Sequence, residues 1–193
     1  MRDKILIFLV ISSVLALFIV TKSALCQNKV KQIEQGNKVK TEKAIFGAGC
    51  FWGVEETFRR LPGVVSTTVG YSGGRIVNPS YEQVCAGDTE HAEVVEVEFD
   101  PKKISYQDLL QTFFFCHDPT TMNRQGPDIG YQYRSVIFYL NPEQEKEAMA
   151  AKENWQKING KKAATAIEAA KPLYRAEEYH QHYLKKKGLN VCH

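Results

Sequence analysis

The sequence predicts an α+β fold, with helices packed on a mostly antiparallel mixed sheet, for the chain after about residue 43. Strand-like segments and segments with apolar residues every three to four positions follow one another along the chain. No internal repeat is detectable, and the helical and strand segments are mixed rather than paired in regular units. About 150 residues remain for this domain, which is enough to bury one hydrophobic core.

Each element of the first half of this domain has its own signal. Ala44-Ile45-Phe46 is a short apolar run that leads into glycines, which is typical of a buried strand. Apolar spacings of three and four predict a helix from Cys50 to Arg60, and Pro62-Gly63 ends it. Valines alternate with glutamates in Ala92 to Phe99, the clearest strand. The remaining elements are a β-branched strand at Val64 to Val69, a loop at Tyr71 to Gly74 and a helical turn that begins at Ser80.

The second half contains a long loop between predicted helices and strands. Ser105 is placed to cap a helix that Asp118-Pro119 ends. Residues 119–131 then form a loop rich in glycine, proline and aspartate, and such loops inside compact domains are usually functional. The remaining elements are a strand at Tyr133 to Leu140, a helix at Pro142 to Ile158, an edge strand at Ala164 to Ala169 and a final helix at Ala176 to Lys187.

The N-terminal segment has the pattern of an export signal. Arg2 and Lys4 precede an apolar run over 5–20, and small residues at Ala24 and Cys26 suit cleavage after residue 26. The run is slightly shorter than the roughly 20 residues of a membrane-spanning helix, but an uncleaved membrane anchor is the alternative. We therefore expect 1–26 to be a signal peptide or anchor and the polar stretch 27–43 to be a linker, in an exported (periplasmic or secreted) or membrane-anchored protein.

Charge and motif counts argue against two classes of partner. A net charge of +3 without a dense basic stripe predicts no nucleic-acid partner. The sequence has no CxxC or HExxH pattern, and His180 and His182 are two residues apart on a predicted helix, so their side chains diverge. We expect no bound metal.

The stretch "GAGCFWGVEE" (47–56) places a cysteine where a helix begins. A helix N-terminus favours the reactive thiolate, and the neighbouring glycines permit close approach of another molecule. Phe51 and Trp52 would supply an apolar wall beside a nucleophile. A packed, unreactive thiol at a tight turn fits these residues equally well, so the stretch alone leaves both interpretations of Cys50 open.

The positions of the other four cysteines predict different roles for them. Cys26 leaves with the signal, and Cys85 and Cys116 are assigned to packing. Cys192 is the penultimate residue, on a tail whose reach suits attack on another sulfur. In an exported chain, a structural disulfide is the alternative role for Cys192.

Five motifs, in order, resemble the type A peptide methionine sulfoxide reductase family. The similarity runs from about residue 43 to the C-terminus and implies an α+β two-layer sandwich, with residues 44–193 as the catalytic domain. The motifs are "GCFWGVE" (49–55), "GYSGG" (70–74), "PSYEQVCAGDTEHAEVVEVEFDP" (79–101), "FFFCHDPTTMNRQGPDIGYQYRS" (113–135) and "AEEYHQHYL" (176–184).

The resemblance implies a role for each motif. Cys50 matches the cysteine whose thiolate attacks the sulfoxide sulfur, and the aromatic pair after it matches the residues that receive the methyl group. On the methyl side the matched residues are Phe51 and Trp52. On the oxygen side Glu93 matches the acid that protonates the sulfoxide oxygen, and Tyr81 and Tyr133 match the hydrogen-bond donors to that oxygen. Asp128 matches a residue that supports the polar side of the pocket.

The resemblance also implies the complete reaction cycle. Attack on the S epimer of free or protein-bound methionine sulfoxide leaves a sulfenic acid on Cys50. Cys192 matches the resolving cysteine that forms a disulfide with it, and thioredoxin or a related dithiol protein reduces that bond. Since the chain stops at His193, we expect a single resolving cysteine. We also expect no bound cofactor and a monomer.

Two other functions use the same cysteines. A thiol peroxidase would direct Cys50 and Cys192 at peroxide, although the acid at Glu93 and the aromatic pair count against it. A non-catalytic secreted binding module would hold Cys50 and Cys192 in a permanent disulfide. Comparative kinetics on sulfoxide and peroxide separates the reductase from the peroxidase, and a disulfide that persists under mild thioredoxin treatment would favour the binding module.

Overall fold

The structure is a computed structural model that describes residues 40–189. Its centre is a six-stranded sheet in the order β7-β6-β1-β3-β2-β8. The strands of this sheet are β1 (Glu42–Ala48), β2 (Val64–Ser72), β3 (Ala92–Phe99), β6 (Ser135–Tyr139), β7 (Ala166–Ala169) and β8 (Tyr174–Arg175), and a separate hairpin is formed by β4 (Arg124–Gln125) and β5 (Asp128–Ile129). The helices are α1 (Phe51–Arg59), α2 (Tyr81–Cys85), α3 (Tyr106–Phe115), α4 (Pro142–Asn159) and α5 (Tyr183–Lys187), with a 3-10 helix at Tyr131–Tyr133.

The sheet confirms the predicted α+β class. Every neighbouring pair of strands in it is antiparallel except β6 and β7, which are parallel. Successive side chains of β1 point to opposite faces of the sheet. Phe46 stacks on Phe58 of α1 and Phe113 of α3 on one face, whereas Ile45 packs with Phe138 in a smaller cluster. The larger core therefore lies between the sheet and the helices that cover one face.

Side chains at the helix starts satisfy the first free backbone N–H groups. Ser105 accepts from the backbone N–H of Asp108, as predicted, and the Asp108 carboxylate accepts from the Ser105 backbone N–H in return. Ser80 forms the same reciprocal arrangement with Gln83 at the start of α2. Since Tyr81 is the first residue of α2, this cap holds the backbone position from which the Tyr81 side chain extends.

The predicted final helix is wrong over most of its length, because only Tyr183–Lys187 is helical. The preceding residues form turns in which side chains replace helical hydrogen bonds. The buried Gln181 amide accepts from Val69 N–H and donates to the carbonyls of Val69 and Ala176. His182 then takes a left-handed backbone (φ 52), which an α-helix does not contain. These contacts bind the segment to the edge of the sheet.

Three smaller predictions also need correction. The predicted loop at Tyr71 is still part of β2, which runs to Ser72. Tyr133 lies in the 3-10 helix rather than in the strand that follows. Cys85 is exposed at the end of α2, so its assignment to packing is wrong.

Some sequence predictions fall on residues that the structure does not describe. The signal or anchor at 1–26, most of the linker at 27–43 and Cys192 lie outside 40–189. Within 40–189, no helix combines the length and apolar character needed to cross a membrane.

A partly buried chain of hydrogen-bonded side chains predicts how stability depends on pH. His117 Nδ1 donates to the Phe113 carbonyl (2.7 Å), and its Nε2 lies 2.7 Å from Ser135 Oγ, which in turn lies 2.8 Å from Thr165 Oγ1. Burial lowers the pKa of His117 from 6.5 to about 4.

The unfolded chain therefore takes up a proton on His117 near pH 6.5, whereas the folded protein resists protonation until about pH 4. We expect the free energy of unfolding to fall by about 2 kcal/mol across this range as pH is lowered, and His117→Gln to remove that part of the slope. Urea unfolding at pH 7, 5.5 and 4.5 measures it. An unchanged slope in the variant would contradict this role for His117.

Candidate active site

Cys50 lies at the junction where β1 ends and α1 begins. It is the N-cap residue of α1, half-buried, and the backbone reaches it through Gly49 with φ +95. A Cβ at Gly49 would lie 2.7 Å from the Gln125 side chain, so only glycine fits between the cysteine and the β4–β5 hairpin. The Cys50 sulfur is consequently placed at the positive end of a nine-residue helix, which favours a thiolate.

Aromatic rings form one wall beside Cys50. The buried Phe51 ring packs between Tyr71 (5.9 Å between ring centroids) and His180 (5.1 Å). Trp52 stacks on Tyr183 at 3.9 Å, and its indole N–H donates to His180 Nδ1 at 3.0 Å. Both predicted methyl-binding residues therefore line an apolar surface, and the segment after β8 holds the indole in place.

Sequence reasoning did not assign His180 or Tyr183 to this site. Both belong to the "AEEYHQHYL" motif, but the sequence predicted a helix over this motif, and in a helix these side chains would point in different directions. The turn that the structure shows instead directs His180 and Tyr183 toward α1.

Glu93 is the buried acid of the site. It lies in β3 between two fully buried residues, directly across from Tyr71 of β2, and only 2% of it is exposed. Its Oε2 accepts from the backbone N–H of Phe51, the residue after Cys50, at 3.0 Å. Burial, against the opposing Phe51 hydrogen bond and with a smaller contribution from the charge of Asp128, raises the pKa of Glu93 to about 8. The Glu93 carboxyl is therefore mostly protonated at neutral pH.

Two tyrosines and an aspartate surround Glu93. Tyr81 begins α2, Tyr133 ends the 3-10 helix and Asp128 begins β5. Burial, then the charges of Glu93, Cys85, Asp128 and Cys50, raise the pKa of Tyr133; burial, Cys85 and Glu93 raise that of Tyr81. Both phenols therefore keep their protons and can donate hydrogen bonds to an oxygen near Glu93.

The two other cysteines within the described residues differ sharply. Cys85 is exposed, four residues after Tyr81, and is hydrogen-bonded to the Tyr81 hydroxyl. Cys116 packs against the main core and donates its S–H to the Phe113 carbonyl at 3.3 Å, and burial raises the pKa of its thiol to about 12. The packing role predicted for Cys116 agrees with this placement, whereas Cys85 lies beside Tyr81.

The site offers no evident metal ligands. Across residues 40–189, no three histidine, cysteine, aspartate or glutamate side chains come together in a group that could hold a metal ion. What the site does present is a thiol at a helix N-terminus, a protonated carboxyl and two phenols, all beside an apolar wall. This set can attack a soft, polarised atom and protonate the oxygen attached to it.

Comparison with known proteins identifies the family. The family model of peptide methionine sulfoxide reductases matches residues 42–193. The chain belongs to this family. A peptide methionine sulfoxide reductase MsrA of Methanoculleus marisnigri is 60% identical over 154 residues, covering 78% of this chain and 93% of that protein.

Solved structures of other proteins share the fold. The reduced form of Mxr1 from Saccharomyces cerevisiae, 42% identical, aligns with a TM-score of 0.74 over 81% of this chain and 91% of that one. Mxr1 in complex with Trx2 aligns with a TM-score of 0.53 at 31% identity, over 76% and 87% of the two chains. The resemblance read from five motifs is thereby confirmed at the level of family and fold.

Proposed function

We propose that this methionine sulfoxide reductase reduces the S epimer of methionine sulfoxide, free and in proteins, with thioredoxin as its electron donor. The observation that carries the proposal is the link between nucleophile and acid: Glu93 is hydrogen-bonded to the backbone of Phe51, the residue directly after Cys50. A substrate sulfur that the Cys50 thiolate can reach would place its oxygen near this carboxyl.

The reduction step uses both sides of the pocket. The Cys50 thiolate attacks the sulfoxide sulfur while Glu93 gives its proton to the oxygen, and the Tyr81 and Tyr133 hydroxyls stabilise that oxygen by hydrogen bonds. A sulfoxide oxygen is a poor leaving group until it is protonated, so an acid that is still protonated at neutral pH is required. The new bond between the Cys50 sulfur and the substrate sulfur then breaks as the hydroxyl group passes to the Cys50 sulfur, so methionine is released and Cys50 is left as a sulfenic acid.

The methyl side explains the choice of substrate. The ε-methyl of methionine sulfoxide is apolar and directly adjoins the polar S=O group. The rings of Phe51 and Trp52 give that methyl group an apolar surface, while the carboxyl and phenols lie on the oxygen side. We propose that Asp128 supports the polar edge of the pocket, since its charge acts on both Glu93 and Tyr133. Because the apolar side and the hydrogen-bonding side have fixed positions relative to Cys50, only one arrangement of the methyl group and the oxygen around the sulfur fits, which favours one epimer.

A direct assay tests the proposed function. The two purified epimers of a methyl sulfoxide are supplied with dithiothreitol, and loss of each is followed separately. We expect turnover of the S epimer, with turnover of the R epimer slower by at least about a hundredfold, since misplacing the reacting atoms carries a penalty of that order. Equal rates for both epimers, or no turnover at all, would refute the proposal.

Recycling is proposed to pass through Cys192. Its thiol condenses with the Cys50 sulfenic acid, releasing water and leaving a Cys50–Cys192 disulfide. Thioredoxin then reduces this bond by thiol exchange and becomes oxidised itself; the complex of the yeast relative with Trx2 supports a donor of this kind.

The variant Cys192→Ser tests this step. We expect one equivalent of methionine per enzyme in a single turnover, followed by a stall with thioredoxin, because the sulfenic acid has no resolving partner. Rapid quenching with thioredoxin measures the burst, and dithiothreitol is expected to restore turnover. Normal cycling of Cys192→Ser with thioredoxin would show that another thiol, such as the exposed Cys85, resolves Cys50.

We also propose that the enzyme is exported or membrane-anchored through residues 1–26. The support is the sequence pattern alone: a positive start, an apolar run over 5–20 and small residues at Ala24 and Cys26. Intact-mass measurement of the protein from the producing cell distinguishes the two forms. A chain that begins at Gln27 indicates cleavage, and a full-length chain in the membrane fraction indicates an anchor.

A further inference from the structure

Glu177 carries a carboxylate that the mechanism above does not use. It lies in the segment Ala176–Tyr183, and its side chain is about one third exposed (33%). One oxygen, Oε2, accepts from the Tyr71 hydroxyl at 2.9 Å, and the other, Oε1, accepts from the backbone N–H of Tyr81 at 2.9 Å. These bonds hold the Glu177 pKa below its usual value although burial opposes this effect, so the group is an anion at neutral pH.

The two donors belong to opposite sides of the candidate pocket. The Tyr71 ring is fully buried and packs on Phe51 of the methyl side. Tyr71 is paired with Glu93 on the neighbouring strand β3. Tyr81 is the first residue of α2, and its hydroxyl is one of the two donors proposed above for the oxygen side. A single carboxylate thus connects strand β2 to the start of α2.

A third contact extends this link to Trp52. The indole N–H donates to His180 Nδ1, so the neutral imidazole carries its hydrogen on Nε2. That Nε2 is buried, has no hydrogen-bond partner among residues 40–189 and lies 3.9 Å from Glu177 Oε2. The distance is too long for a hydrogen bond, but the carboxylate charge attracts the N–H and favours this tautomer.

We infer that Glu177 is a positioning residue that sets the spacing between the methyl wall and the oxygen-side donors, and so limits the size of the alkyl group on the sulfoxide. The inference rests on the proposed function. It follows from the two hydrogen bonds of one carboxylate to Tyr71 and Tyr81, because these two residues support opposite sides of the pocket.

Two substitutions separate positioning from folding. Glu177→Ala removes both acceptor oxygens. Glu177→Gln keeps one carbonyl oxygen for the Tyr81 N–H and places an amide near the Tyr71 oxygen, so it preserves the link in part. The matched control is Glu178→Ala. The Glu178 side chain is 73% exposed and pairs with Arg175 (2.7 Å) and Lys186 on the surface.

The experiment compares methionine sulfoxide with ethionine sulfoxide, which carries one more methylene on the alkyl side. In Glu177→Ala we expect kcat/KM for methionine sulfoxide to fall about tenfold, mostly through KM, and the methyl-to-ethyl preference to fall at least about threefold. Glu177→Gln should lie between this variant and the wild type, and Glu178→Ala should match the wild type. Thermal unfolding of each variant is recorded in parallel.

The outcomes are distinct. An active wild type whose methyl-to-ethyl preference is the same in both Glu177 variants would overturn the inference and leave the proposed function standing, because a purely structural role lowers both rates equally. If Glu177→Ala does not fold, the preference of Glu177→Gln decides the question. A wild type that reduces neither sulfoxide would overturn the proposed function and this inference with it.

Discussion

Replacing Glu93 with glutamine is expected to slow sulfoxide reduction at least about a hundredfold while making the protein more stable at neutral pH. Glutamine has nearly the same shape, and its carbonyl oxygen can still accept from the Phe51 N–H, so the geometry beside Cys50 is kept. It cannot deliver a proton to the sulfoxide oxygen. Loss of a general acid lowers rates by about 10²–10⁴-fold, and we expect kcat/KM to fall within this range.

The gain in stability follows from the sign of the pKa shift. Burial raises the pKa of Glu93 to about 8 in the folded protein, against 4.5 for an ordinary glutamate. Between these values the unfolded chain has released its proton and the folded protein still holds it, so the free energy of unfolding falls as pH rises from about 4.5 to 8. Glu93→Gln does not titrate, and we expect it to gain about 4 kcal/mol at pH 7.5 relative to the wild type, from roughly three pH units at about 1.4 kcal/mol each.

Urea unfolding at pH 5 and pH 7.5 measures this effect, and the pH profile of the wild type gives a second reading. Activity should decline above about pH 8, where the folded Glu93 loses its proton. The matched control is Glu96→Gln on the same strand, whose partly exposed carboxylate pairs with Lys43 at 2.7 Å. The assignment would be contradicted if the Glu93→Gln variant kept more than a tenth of the wild-type activity. It would also be contradicted if the free energy of unfolding of this variant at pH 7.5 were no higher than that of the control.

Glu93 also shows what the sequence could and could not predict. The alternation of valine and glutamate in Ala92–Phe99 predicted the strand, and the structure has β3 over the same residues. The same alternation places Glu96 and Glu98 on one face of the strand and Glu93 on the opposite, apolar face, but it does not show which groups would surround a buried carboxyl there. Its burial depends on α1 and on loops far away in the chain, so the family resemblance alone identified it beforehand.

The segment around His180 shows a different limit. Its composition favours a helix, but helical propensity is weak compared with specific side-chain contacts. Gln181 satisfies backbone groups of Val69, and Glu55 accepts from the His182 N–H at 2.8 Å. Both partners lie more than a hundred residues earlier in the chain, so no local pattern contains this information. The placement of His180 against Trp52, and of Glu177 between two tyrosines, follows from these distant contacts.

Replacing Cys50 with serine is expected to remove all sulfoxide turnover, with dithiothreitol as well as with thioredoxin. A serine hydroxyl stays protonated at neutral pH and is a far weaker nucleophile than a thiolate, even at a helix N-terminus. The turn at Gly49 and the start of α1 do not depend on the sulfur, so the fold and the pocket should remain. Activity below about one thousandth of the wild type, with unchanged thermal unfolding, is the expected result.

The controls for Cys50→Ser separate it from the other thiols and from peroxide chemistry. Cys116→Ser keeps a donor to the Phe113 carbonyl in a partly buried position beside the main core, and should retain turnover. Substantial turnover by Cys50→Ser would contradict the assignment and place the nucleophile elsewhere, with the exposed Cys85 beside Tyr81 as the next thiol to replace. A wild type that consumes hydrogen peroxide with a higher kcat/KM than the S sulfoxide would instead favour a thiol peroxidase. The Phe51 and Trp52 rings argue for the sulfoxide, because peroxide has no methyl group for them to hold.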